Sequence, residues 1–206
     1  MGTVLSLFQT PVDTTAAKSW ARGLLAPSKS VREPRGLAAW GGFGDLRRHA
    51  LPKGDAAVRV WNGFGITNLI GVVLRSKGGV WTATRLIGGF DDPKHPSRKV
   101  VYPAPVGGWP AFWRRAEALK VWSLPDESAL PQKDRKWVND GFSTLVETAR
   151  DGRYRAYAYD NPEFQTQWPE AGRIMALNRL TDAAFPFPKK PKAGKGTTEA
   201  RRRTSS

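Results

Sequence analysis

The chain has 206 residues, 40% of them hydrophobic and 11% aromatic, enough for one domain with a real core between polar flanks. It holds no cysteine and two histidines, which removes disulfides, thiol nucleophiles, Fe–S ligation and Cys-based zinc sites and leaves too little for a His-rich metal centre. The net charge of +15 is uneven: residues 1–55 carry 8 Lys/Arg against 4 Asp/Glu, 189–206 carry 7 against 1, and the body between carries 18 against 13, so most of the excess is a solvated field on the flanks.

Residues 1–55 read as an irregular basic segment. Thr14 to Leu25 has the pattern of one short helix with Asp13 as its cap, and Pro27, Pro34 and Pro52 then interrupt regular structure. Such a composition suits a disordered leader or a basic arm for a partner. The opening lacks a basic n-region, and its apolar run is short for a secretory signal. No run approaches the roughly 18–20 apolar residues of a membrane span. These points give the cytoplasm by default, with a mis-called start or a missing leader as the other account. Met1 to Ser6 also fits the loose pattern for N-myristoylation.

Trp40-Gly41-Gly42-Phe43-Gly44 stands out from this segment, because aromatics are unusual in linkers. It returns as Trp61-Asn62-Gly63-Phe64-Gly65, yet the sequence between does not repeat, so no repeat architecture follows. The phrase has neither the spacing nor the following helix of a phosphate loop. Glycine within a strand marks a bulge or a close backbone approach, which is the reading adopted.

Val58 to Trp61 alternates as a half-buried strand, and Leu69 to Arg75 reads as a central one. Gly78-Gly79 then turns the chain into a returning strand over Val80 to Ile87. Asp91 to Pro96 is a surface loop, and Arg98 to Pro103 a short strand that its flanking prolines confine to an edge or an end. Trp109 to Trp122 has helical spacing, with Pro110 in the first turn and Trp109, Phe112, Trp113, Ala116 and Leu119 on one stripe. Leu124 to Asp140 is a polar connector.

Phe142 to Tyr159 reads as a second hairpin around Asp151-Gly152. That loop sets Arg150 against Arg153, Thr148 against Arg155, Val146 against Tyr157 and Thr144 against Tyr159. Arg153, Arg155, Tyr157 and Tyr159 therefore share a face. Exposed, they would stack bases and grip phosphates; covered, the tyrosines would be core. Glu147, Asp140 and Asp160 are carboxylates that the fold could bring together. A last helix opens at Trp168-Pro169-Glu170 and runs to about Ala183. The tail beyond is basic and lacks the apolar residues to fold, with Lys189, Lys190, Lys192, Arg201, Arg202 and Arg203 available to a polyanion.

The WNGFGI phrase, the double-glycine hairpin, the GFSTLVE…DGRYRAYAYDNP hairpin and the closing PEAGRI helix together resemble an uncharacterised bacterial α+β protein family over about residues 56–184. The resemblance implies a fold and brings no activity, cofactor, ligand or functional residue.

The expectation is an α+β domain over 56–188: an antiparallel sheet of about five to six strands, built on two hairpins, with two helices on one face and disordered termini at 1–55 and 189–206. For function it is a small non-catalytic binding or interaction domain, with a protein partner foremost. The alternative is RNA or DNA binding through the tail and the Arg/Tyr face, and the third a hydrolase-type enzyme with an unrecognised site. No catalytic, cofactor or metal residues are assigned.

Overall fold

In a computed structural model, residues 26, 29–48, 51–64, 67–89 and 96–187 are described. The alternating and β-branched runs become six strands: β1 (Ala56–Phe64), β2 (Thr67–Lys77), β3 (Val80–Ile87), β4 (Arg98–Tyr102), β5 (Ser143–Arg150) and β6 (Arg153–Asp160). They form one sheet in the order β4-β3-β2-β1-β5-β6, and every neighbouring pair is antiparallel. The helices are α1 (Pro34–Trp40), α2 (Trp109–Ala118) and α3 (Pro169–Ala184). The fold is the α+β class that the pattern implies, with β4 and β6 at the two edges.

Both hairpins turn where glycine permits left-handed backbone. Asp151 and Gly152 have φ of 51° and 71°, the twist-matched geometry of a two-residue hairpin loop. Arg150 consequently faces Arg153, Val146 faces Tyr157 and Thr144 faces Tyr159. In the WNGFG phrase the register shifts between Asn62 and Phe64, with φ of 109° at Gly63 and 93° at Phe64. It is a β-bulge.

Two elements depart from the sequence pattern. The helical stripe runs to Trp122, but α2 stops at Ala118 because Lys120 turns left-handed at φ 60°. That turn drops Val121 and Leu124 into the core instead of carrying them round a helix. The larger departure is at the N-terminal side. The expected helix over Thr14 to Leu25 lies outside the described residues, whereas α1 forms further on, with Pro34 in its first turn and Leu37 and Ala38 buried. Val31, Leu37, Ala38, Phe43, Leu46 and Leu51 thus pack with the sheet.

The sheet therefore has two covered faces. On the first, α2, α3 and the segment after α2 enclose Val58, Val60, Val72, Leu74, Val146, Tyr157 and Tyr159, with Phe112, Ile174, Leu177 and Phe185 above them. On the second, Leu37, Ala38 and Leu46, with Val31, Phe43 and Leu51 at the margin, lie against Trp61, Leu69, Val73, Leu86 and Leu145. Each leucine fully withdrawn from water there is worth about 1.5–3 kcal/mol, which is what holds an otherwise irregular segment to the sheet. The strand β1 is in consequence buried on both sides and not half-buried, and Arg59 is carried inside with it.

Candidate binding cavity on the second face of the sheet

The Arg/Tyr face of the second hairpin is interior. Tyr157 and Tyr159 are fully buried, so neither ring can stack on a base. The Tyr157 hydroxyl donates to the Val121 carbonyl at 2.7 Å, and that of Tyr159 to the Pro125 carbonyl at 2.7 Å. Between them Arg155 donates to the carbonyls of Trp122 and Leu124. Three side chains at every second position of β6 thus secure the irregular stretch 121–125, whose carbonyls have no helix to bond. Burial pushes both tyrosine hydroxyls up. Arg153 alone of the four is exposed, at the hairpin tip. Lys189, Lys190, Lys192, Arg201, Arg202 and Arg203 lie outside the described residues.

The same stretch continues along the β6 edge. Asp126 accepts the Ala158 N–H at 3.0 Å, and Glu127 accepts the Asp160 N–H at 2.8 Å. Glu127 is 1% exposed and lies 3.1 Å from Arg135. Burial pushes its carboxyl up to about 7, against the lowering pull of the Asp160 N–H and of Arg135. The three carboxylates singled out in the sequence part company: Asp160 pairs with Arg135 and Ser143, Asp140 is exposed, and Glu147 points into the second face.

That face holds a polar cluster the sequence pattern does not announce. Glu147 on β5 sits opposite Arg59 on β1, both nearly enclosed, with 3.9 Å between charged atoms. Trp61 Nε1 donates to one oxygen of Glu147 at 2.8 Å, and the Tyr154 hydroxyl to the other at 3.0 Å. Burial first, then the charge and hydrogen bond of Glu147, push the Tyr154 hydroxyl up. The Trp61 ring reaches this position because Gly71 faces it: a Cβ there would stand 2.3 Å from the indole. Arg59 turns its other terminal nitrogen to the Gly44 carbonyl at 2.6 Å. Asp45, next along, is ion-paired to Arg35, Arg47 and Arg48, which ties the loop to α1, while the Arg59–Gly44 bond ties it to the sheet.

Two cavities flank Phe43-Gly44-Asp45. One, of 290 Å³, is walled by Phe43, Leu46, Leu51, Ala57 and Val73, with Asp45, Arg59 and Arg75 as its polar members. The other, of 240 Å³, lies towards α1 and is lined by Arg35, Ala38, Ala39, Arg48 and Glu147. Arg59 borders both. Its Nε has no hydrogen-bond partner among the described residues, an expensive omission for a group 5% exposed. The first cavity stands at the low end of ligand pockets, which run about 300–1,000 Å³. Among the described residues no three His, Cys, Asp or Glu side chains gather as metal ligands, and no helix is long and apolar enough to cross a membrane.

No protein-family model matches the chain, and no curated protein matches it. The signal for this site was present in VRVW and LVETA. A charge inside a run of strand-forming residues needs a buried partner wherever both faces of the strand are covered, and only the coverage was unread.

Proposed function

We propose that the protein is a non-catalytic binding domain whose ligand, a small anion with an apolar body, occupies the cavity between the loop after α1 and the sheet. The observation that carries this reading is Arg59: a charge nearly withdrawn from water, at the border of an apolar-walled cavity, with one N–H unspent. A carboxylate there would take a charge-assisted hydrogen bond from Nε, and its hydrocarbon part would lie against Leu46, Leu51 and Val73. The exposed Arg75 at the rim adds attraction from outside. Binding is favoured over chemistry because the enclosed carboxylate, Glu147, spends both oxygens on Trp61 and Tyr154 and has no lone proton-transfer role to offer.

The test is calorimetric titration with hexanoate, phenylacetate and their neutral amides. A hydrogen bond to a charged group is worth about 1.5–3 kcal/mol, so the acids should bind about tenfold or more tightly than the amides, and Arg75→Gln should weaken the acids selectively. Equal binding of acid and amide, or no binding by either, rejects the proposal.

A second reading rests on the tail, with 7 Lys/Arg against 1 acid over residues 189–206. That charge supports weak, sequence-independent contact with RNA or DNA through Lys189, Lys190, Lys192 and Arg201 to Arg203. Filter binding should then fall steeply with salt and vanish when those six become glutamine.

A further inference from the structure

The two edges of the sheet are finished differently. On β6 the outward N–H groups of Ala158 and Asp160 are taken by Asp126 and Glu127. On β4 the direction of the backbone follows from the ladder. The Gly88 N–H donates to the Leu69 carbonyl at 2.8 Å, so even-numbered residues of β3 turn their backbone groups to β2 and odd-numbered ones to β4. Ala83, Arg85 and Ile87 stand opposite Tyr102, Val100 and Arg98, and these are the pairs that exchange bonds. Lys99 and Val101 therefore turn their N–H and C=O groups away from β3, where among the described residues the sheet has no further strand. The side chains divide by face. Lys99 and Val101 lie on the side of Leu86 and Val73, and Val101 is 61% exposed. Arg98, Val100 and Tyr102 lie on the other side. Neither cation has a carboxylate partner among the described residues: Lys99 donates to the Gly41 carbonyl at 2.6 Å, and Arg98 lies 5.7 Å from the centre of the Phe187 ring.

We infer that β4 takes up an extended acidic segment of another protein as an added strand. Antiparallel addition continues the pattern of this sheet and is the slightly more stable pairing. The two peptide residues opposite Val101 and Lys99 would exchange main-chain bonds with them, which supplies affinity without regard to sequence. Side chains supply the selection. From its N-terminus, the peptide meets Tyr102, Val101, Val100, Lys99 and Arg98 in turn. β-Branched residues suit the two valines, and carboxylates suit the two cations that follow. The recognised pattern is thus a pair of β-branched residues followed by a pair of acids. A second copy of β4 fits less well, because RKVVY against itself gathers the Arg98 and Lys99 charges of both chains on one short ladder. The same charges, with Pro96 and Pro103 on either side, keep indiscriminate strands off this edge.

The test titrates the full chain into a fluorescein-labelled peptide, Thr-Val-Val-Glu-Glu-amide, and follows anisotropy. Binding should saturate, and changing both glutamates to lysine should weaken it about tenfold or more. N-methylation of the first valine removes the main-chain donor opposite Val101 and should cost about tenfold or more as well. Val101→Pro deletes an N–H that faces away from β3, so it should weaken the peptide about tenfold or more while circular dichroism stays that of the parent. Amide hydrogen exchange at Lys99 and Val101 should slow when the peptide is bound. Because the basic tail can attract acidic peptides by itself, a variant with Lys189, Lys190, Lys192 and Arg201 to Arg203 changed to glutamine is measured beside the parent and should bind equally. Four results overturn the inference: no saturable binding, equal binding of the acidic and lysine peptides, binding untouched by N-methylation or by folded Val101→Pro, or binding lost with the tail cations. A dimer of the full chain in sedimentation, dissolved by Val101→Pro and indifferent to the peptide, would give the edge to a second copy and equally overturn it.

Discussion

The two faces of the sheet solve burial in opposite ways. Beneath α2 and α3 the core is mostly apolar: Arg155, Tyr157 and Tyr159 end on backbone carbonyls, Asn178 donates to Thr144, and Arg85 reaches Asp182 and the Phe185 carbonyl at the margin. Beneath α1 and its loop the contact is mixed: charged groups pair with one another inside, and two cavities remain. Helices bond their own backbone and can present a clean stripe. An irregular loop cannot, and it brings polar groups that must find partners on the sheet. The face covered by loop is accordingly where binding chemistry can reside.

The comparison is broken most directly at Glu147. Glu147→Leu leaves the Arg59 charge without its partner and orphans the Trp61 and Tyr154 donors, so urea denaturation should show a loss of about 3–5 kcal/mol. Adding Arg59→Met should restore a large part of it, since a pair replaced together by apolar groups is often neutral. If the double variant is as weak as the single one, the charges are not a coupled unit.

At the seam between the two faces, Glu127 makes stability depend on pH. The folded protein raises this carboxyl from 4.5 to about 7, so between those values it keeps a proton that the unfolded chain releases. Stability from this group is present below about pH 4.5 and falls by up to about 3 kcal/mol as pH rises to 7. Glu127→Gln, whose amide oxygen can still accept the Asp160 N–H, should flatten that decline. Denaturation midpoints at pH 5 and 7.5 that shift equally in both proteins would contradict it.

Glycine separates the faces again. Gly71→Ala drives a methyl into Trp61 and should cost about 1–3 kcal/mol, with a change in near-ultraviolet circular dichroism. Gly172 on α3 has nothing within 4 Å of an added Cβ, and Gly172→Ala should stabilise by up to about 1 kcal/mol. The smallest effect belongs to the dry face: Tyr157→Phe removes one hydrogen bond to Val121, about 1 kcal/mol in thermal unfolding.

What could be read from the sequence was what depends on neighbours in the chain. Asp151-Gly152 determined the second hairpin and its full register, and the helix from Pro169 followed from its own spacing. What could not be read depends on distant coverage. Nothing in VREPRGLAAWGGFGDLRR says that this proline- and arginine-rich stretch folds back on the sheet. Without that knowledge Arg59 looks solvent-facing and β1 half-buried. The tyrosines of β6 were ambiguous for the same reason: alternation assigns them to a face and leaves open whether the face is wet.

The carboxylates of Asp126 and Glu127 have a consequence for self-association. By taking the outward N–H groups of Ala158 and Asp160 they act as a stopper on one margin of the sheet. Strand pairing between copies is then left to β4 at the other margin. Two molecules joined there would have both outer ends stoppered, so the contact closes as a two-fold pair and gives a fibre no way to propagate.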